Sequence, residues 1–318
     1  MKRIFAHIIL IVTVSTVFAQ NIPVRDPHFI RDIEKSTLSL DKKAHSAIKP
    51  FYFSDYKDIC TDSAQYEKSF LYYGWKNDTA KKPAKFYALP VYEVFNWIMP
   101  TDRLDYRYNT HFGGLFDFSL GDKFGISYQL STWYLDLPDY QKNYRYNYLI
   151  YNNLGMPTPW NSFMLLENDI HITFSPYTFL KLELANSRNF YGDGYRSFLL
   201  SDFASNYPYF KLETKFLSIK YSCVWALQKA RFESDLIDMP MITSQNKYSV
   251  FHYLDWKIGK RLNLGLFESI ILKGDYVFDF EYLNPIIFFR PVEFNLGSED
   301  NALMGTNIRF VINEQNML

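Results

Sequence analysis

From about Lys85 onward, apolar and polar residues alternate one by one over long stretches. The clearest run covers 105–120. Tyr106, Tyr108, Phe112, Phe116, Phe118 and Leu120 fall on one parity; Asp105, Arg107, Asn109, His111, Asp117 and Ser119 fall on the other. Successive side chains of a strand point to opposite sides, so this period predicts a strand with one apolar and one polar face. At ~3.3 Å per residue the run reaches ~50 Å, whereas strands of soluble domains are usually roughly 3–10 residues long. The excess suits a strand that crosses a bilayer and continues beyond it. In the next run Phe124, Ile126, Tyr128, Leu130 and Tyr134 alternate with Lys123, Gly125, Ser127, Gln129 and Ser131. Cross-strand partners share a face and both apolar sets are even-numbered, so Leu120 is expected opposite Phe124, with Gly121, Asp122 and Lys123 as the turn.

The pattern returns with Ile170, Ile172 and Phe174, then Leu180, Leu182 and Leu184, against Asp169, His171, Thr173, Lys181 and Glu183; the turn is expected at Ser175-Pro176-Tyr177. Further strands are expected over 209–216, 218–228, 247–258 and 261–272, with weaker signals near Lys85 and over 144–151, 286–290 and 302–311. Short turns between strands of this kind predict an all-β antiparallel meander. Apolar-out, polar-in alternation is the sequence form of a transmembrane β-barrel, since lipid tolerates strands only when every backbone group is paired. Tyr106, Phe116, Tyr128, Leu130, Ile172 and Leu182 are expected to face outward; Arg107, Asp117, Gln129, Asp169 and Glu183 are expected to face the lumen. The soluble alternative is a periplasmic β-sandwich.

The N-terminus fixes the compartment. Met1, Lys2 and Arg3 precede an apolar run over 4–18, and Val17-Phe18-Ala19 offers a cleavage site before Gln20. This reads as a secretory leader over 1–19, too short for the ~20 residues of a spanning helix. Residues 20–84 read as a partly helical periplasmic or plug-like region, with a charged helical piece over 29–42, and 85–318 as the barrel.

Composition supports the boundary reading. The chain has 26 Tyr, 29 Phe and 6 Trp, and Tyr and Trp suit places where one end of the ring is dry and the other wet. The chain is formally neutral, and losing Lys2 and Arg3 with the leader takes it to about −2, which gives no footprint for nucleic acid. Cys60 and Cys223 show no framework spacing, and two thiols without clustered histidines make no metal motif; no cofactor or metal is expected. His111, His171 and His252 are available for catalysis, but no serine sits in a nucleophile motif. The expectation is no enzyme, with a porin and an outer-membrane lipid hydrolase as lesser readings. Asp62-Ser63-Ala64 and Asp78-Thr79-Ala80 match a short O-glycosylation acceptor pattern.

Several segments carry more than periodicity. They are Asn189-Phe190-Tyr191-Gly192-Asp193-Gly194-Tyr195-Arg196-Ser197-Phe198-Leu199-Leu200-Ser201-Asp202, Asn206-Tyr207-Pro208-Tyr209-Phe210-Lys211, Phe251-His252-Tyr253-Leu254, Gly265-Leu266-Phe267-Glu268-Ser269, Tyr282-Leu283-Asn284-Pro285-Ile286-Ile287-Phe288-Phe289-Arg290-Pro291-Val292-Glu293-Phe294 and Asp300-Asn301-Ala302-Leu303-Met304-Gly305. In this order they resemble the Wzi-type capsule assembly family of outer-membrane proteins, most of all its branch that includes the gliding-motility protein RemB. The resemblance spans about 44–305. It implies a barrel of about eighteen strands in the outer membrane, inserted by the barrel-assembly machinery. It also implies a role in binding or anchoring surface (capsular) polysaccharide or, for the RemB branch, in adhesion and gliding. The pattern shows roughly ten to twelve strands, so the barrel is expected to be incomplete, with an open sheet edge near the C-terminus.

Candidate ligand contacts follow from chemistry. Asp193, Arg196 and Asp202 in a Gly-rich stretch can bind sugar hydroxyls beside Tyr191 and Tyr195 as platforms, or can hold their own turn together. Asn284, Arg290, Glu293 and Asn301 suit a polar lumen network. Glu268 shares parity with Leu262, Leu264, Leu266, Ile270 and Leu272, which aims a costly charge at lipid. A bulge near Phe267 would turn it to the lumen as a ligand contact or as a salt bridge to Arg290.

Overall fold

The computed structural model describes residues 22–23, 27–37, 45–56, 73–76, 84–99, 105–121, 123–136, 156–157, 162–194, 196–233, 242–272, 285, 301–313 and 316–317. The expected leader, strands 144–151 and 286–290, Cys60 and both O-glycosylation motifs lie outside or largely outside these residues. The described chain is mostly antiparallel β-sheet with two short helices, α1 (Pro27–Thr37) and α2 (Phe53–Tyr56). No helix among the described residues is long and apolar enough to cross a membrane.

The chain divides into two compact units, the first comprising 1–22, 62–172 and 203–206 and the second 23–61, 173–202 and 207–318. In the first unit β2 (Tyr73–Lys76), β3 (Ala84–Met99), β4 (Asp105–Leu120) and β5 (Phe124–Leu135) form one antiparallel run. The short β6 (Met156–Pro157) pairs with β7 (Phe163–Tyr177), within which the division falls. Leu120 does pair with Phe124. Gly121 adopts φ 57° at that turn, a left-handed conformation that costs glycine nothing. Phe112, Phe116 and Leu130 are exposed on the even-numbered face, while His111, Ser119, Ser127 and Ser131 are buried on the odd. Asp117, Gln129 and Asp169 share this odd-numbered face and are half-buried.

In the second unit β8 (Leu180–Ser187), β10 (Tyr207–Phe216), β11 (Ile219–Glu233), β12 (Ile242–Ile258), β13 (Leu262–Leu272), β14 (Asn301–Asn313) and β15 (Asn316–Met317) follow one another as a meander. β9 (Phe190–Tyr191) instead pairs with β1 (Ile48–Lys49) of the N-terminal segment. β7 runs through Ser175 and Pro176 to Tyr177, and the turn is Thr178–Phe179 rather than the expected Ser175-Pro176-Tyr177. Proline fixes φ near the extended range and lacks only a donor, so a strand near its end accepts it. Residues 178–179, 217–218 and 259–261 turn tightly at one end of the strands. In neither unit does the described ladder close on itself.

The core of the second unit lies on one face. Ala185, Tyr207, Tyr209, Val224, Ala226, Phe251, Tyr253 and Phe267 pack with Ala47 and Ile48 of the N-terminal segment. On the opposite face Leu184, Phe210, Trp256, Ile308 and Phe310 are exposed. Gly265 lets the first face close: a β-carbon there would lie 2.1 Å from the Tyr253 hydroxyl.

Candidate binding site under the N-terminal segment

The segment 45–56 lies on the same face as this core. α1 presents Ile33 and Thr37 to the interior, one helical turn apart on one side. Ile48 pairs with Tyr191, and the Gly192 amide donates to the Ala47 carbonyl at 2.8 Å. Tyr191 is fully buried, stacked on Tyr253 with centroids 4.9 Å apart, and its hydroxyl bonds Ser222 Oγ at 2.7 Å.

Beside the aromatic floor lies a band of charge. Glu183 pairs with Lys211 at 2.8 Å, both side chains fully buried, and Lys181 lies 3.8 Å from Glu213. The cause is readable: Lys181-Leu182-Glu183 and Lys211-Leu212-Glu213 repeat a basic-x-acidic pattern on antiparallel neighbours, and the register sets Lys181 opposite Glu213 and Glu183 opposite Lys211. Each motif therefore neutralises the other. Lys220 adds a third cation, 3.0 Å from Glu213. Asp55 of the segment reaches Lys181 at 3.1 Å and Lys220 at 3.2 Å. Burial alone would raise the Asp55 carboxyl, but Lys181 and Lys220 outweigh it and hold the group well below the usual carboxylate range. The Tyr52 ring packs against Lys181, whose Nζ is 3.9 Å from its centroid. His45 Nδ1 meets Asp255 Oδ2 at 2.8 Å. A cavity no larger than one water molecule, about 10 Å³, is bounded by His45, Asp55, Tyr56, Lys215 and Lys220.

A second cluster ties three pieces together. Asp193 accepts from Ser46 Oγ and from Asn307 Nδ2, the latter at 2.6 Å, and lies 3.5 Å from Arg309. Arg309 also donates to Ser46 Oγ, to Thr37 Oγ1 at 3.1 Å and to the Thr37 carbonyl at the end of α1. This cluster and the charged band share one face with the segment between them and solvent, so they can recognise polar, charged or sugar-like groups only where the segment yields.

Of the residues singled out from sequence, the structure brings Tyr191 and Asp193 into this region, both engaged in internal contacts. Arg196 and Asp202 are exposed in the 188–206 connection. Asn301 opens β14 and is exposed. Tyr195, Asn284, Arg290 and Glu293 lie outside the described residues. Glu268 keeps the parity of its strand. His252 pairs with Glu268 and Tyr253 with Phe267 in unbroken register, so no bulge turns Glu268 toward the segment. It is buried on the opposite face. There Cys223, a free cysteine, lies 3.9 Å from His252 Nε2, and Tyr221 joins His252 Nδ1 at 2.5 Å. Lys181, Glu183, Lys211, Glu213, Lys220 and Asp55 were not among the candidates; the repeated Lys-x-Glu pattern was the signal for four of them. Among the described residues no group of three His, Cys, Asp or Glu side chains is placed to hold a metal.

The fold and site define a class: an antiparallel meander with one largely apolar, partly exposed face and a charged face covered by its own N-terminal segment. No family model, characterised protein or solved structure matches the chain.

Proposed function

We propose that this chain is a non-enzymatic outer-membrane β-barrel protein that binds or anchors surface polysaccharide. One observation carries the membrane reading: the usual distribution of residues is inverted. Large apolar side chains such as Leu184, Phe210 and Ile308 are exposed, while Lys211, Glu183, Lys220 and Asp255 are buried. An exposed apolar band on alternating strands, with the paired charges on the other face, is what lipid requires. The polysaccharide reading rests on the sequence resemblance and on the polar, aromatic-lined face under the segment.

Fractionation with selective outer-membrane extraction tests the first part, and a protein recovered in the soluble periplasm would end it. Binding of purified capsular glycan to the folded full chain tests the second, together with capsule retention and surface spreading in a deletion strain. Ester hydrolysis lost in Cys223→Ala or His252→Gln would overturn the non-enzymatic claim.

A further inference from the structure

The charged band is balanced only with the segment in place. Lys181, Lys211 and Lys220 face Glu183 and Glu213 on the strands, and the remaining cation is met by one carboxylate, Asp55. Lys211 is paired with Glu183, while Glu213 lies 3.0 Å from Lys220 and 3.8 Å from Lys181, so these two ammonium groups share one strand carboxylate and Asp55 supplies the second. A buried cation without a partner is costly. The strands therefore present, at Lys181 and Lys220, a preformed seat for a single carboxylate. A carboxylate held by two ammonium groups is the charge-assisted contact that the acid group of a uronic sugar makes.

We propose that residues 52–56 mimic a ligand: the Asp55 carboxylate occupies the place that the carboxylate of an acidic sugar takes on Lys181 and Lys220, and a polyuronate competes with the segment for it. This rests on the polysaccharide-binding reading and names its substrate class. The segment is suited to exchange. α2 is a single turn, with the Asp55 amide donating to the Tyr52 carbonyl at 3.0 Å. The small cavity beside Asp55 is bounded by His45, Tyr56, Lys220 and the exposed Lys215.

The test uses the full chain folded in detergent, with tri-galacturonate as acidic probe and maltotriose as neutral control. A site open about a tenth of the time binds about tenfold more weakly than an open one. Wild type should therefore bind tri-galacturonate weakly and Asp55→Asn about tenfold or more tightly, with the gain lost when Lys220→Gln is added. Maltotriose should show no such gain. Hydrogen exchange of 51–56 in the wild type should quicken when tri-galacturonate is added, which decides the matter even if Asp55→Asn does not fold. A folded Asp55→Asn that gains nothing, or exchange unchanged at saturating tri-galacturonate, overturns the mimicry. An equal gain for maltotriose, or for a phosphorylated sugar in place of the uronate, also overturns the acidic-sugar assignment while leaving polysaccharide binding intact. Failure of purified capsular glycan to bind both proteins removes the reading beneath it.

Discussion

The polar faces of the two units are built from different chemistry. In the first, the odd-numbered face of β4, β5 and β7 buries Asn109, His111, Ser119, Ser127, Ser131 and His171, with the carboxylates Asp117, Glu167 and Asp169 only half-buried among them. Their partners lie close by: Asn109 Oδ1 accepts from the Asp136 amide at 2.8 Å, and Trp133 Nε1 donates to Glu167 at 3.0 Å. In the second, the corresponding face carries Lys181, Lys211, Lys220, Lys257, Arg309, Glu183, Glu213 and Asp255. A buried hydroxyl needs a hydrogen bond, but a buried charge needs a counter-charge. Strand register supplies some of these through the Lys-x-Glu repeat. Asp55 of the N-terminal segment supplies another, and His45 of the same segment meets Asp255 at 2.8 Å. The segment is thus part of the second unit's electrostatics, which a polar linker would not be.

The largest expected effect tests this contrast at the Lys211–Glu183 pair. Lys211→Met leaves a carboxylate buried without its cation, and breaking such a pair costs about 3–5 kcal/mol. Denaturant unfolding followed by tryptophan fluorescence should show that loss, with the double variant Lys211→Met/Glu183→Gln recovering much of it. Gln129→Ala in the first unit should cost about 0.5 kcal/mol or less. Equal losses in the two units would erase the comparison.

Next is Gly265→Ala. Its β-carbon would meet the Tyr253 hydroxyl and ring, and Tyr253 is held by stacking on Tyr191. Overpacking of this kind costs about 1–3 kcal/mol, and the β1–β9 contact should loosen with it. Stability unchanged from wild type would mean that Tyr253 can move, and that the aromatic floor does not seat the segment.

Strands were the most legible part of this chain, because a sheet with one apolar and one polar face writes itself as strict alternation. The 105–120 strand and the Leu120–Phe124 pairing came directly from parity. Pro176 misled, since proline is a turn signal that a strand end also tolerates. The site was less legible. Asp193 stood out by its Gly-flanked turn, but its partners Ser46 and Asn307 are far away in sequence, and nothing local marks them. Asp55 is a single acidic residue in a polar region, and its role depends on a register that only the folded sheet creates. Glu268 stood out as a charge of the wrong parity, yet it is accommodated beside His252 on its own face, not turned across the sheet.

A pH titration sharpens the role of the segment. Asp55 is ionised and paired in the folded state, and its folded carboxyl lies below the ordinary value. A depressed acid contributes stability that is full above its unfolded value, near about 4, and is lost as pH falls through the folded value. Lys181, Lys215 and Lys220 face Asp55, and Glu213 shares Lys220. Protection of 51–56 from hydrogen exchange should therefore hold from pH 7 down to about 4 and fall only below it. The first unit should show no matching step. Loss of protection well above pH 4 would assign the anchoring to another group.

The smallest expected effect lies in the first unit, at Trp133. Its ring stacks on His111 with centroids 3.8 Å apart and planes 5° from parallel, and its Nε1 donates to Glu167. Trp133→Phe keeps an aromatic face for the imidazole but removes the donor. The carboxylate loses one hydrogen bond on a half-buried face where water can replace it, so the cost should be about 1 kcal/mol, well short of the Lys211→Met loss. Glu167→Gln should cost no more, because an amide oxygen still accepts from the indole. Together the two variants should cost little more than Trp133→Phe alone, since both act on one contact. A loss of several kcal/mol for Trp133→Phe would show that the first unit also depends on a buried charge. The contrast between a face satisfied by its own strands and a face completed by a docked segment would then fail.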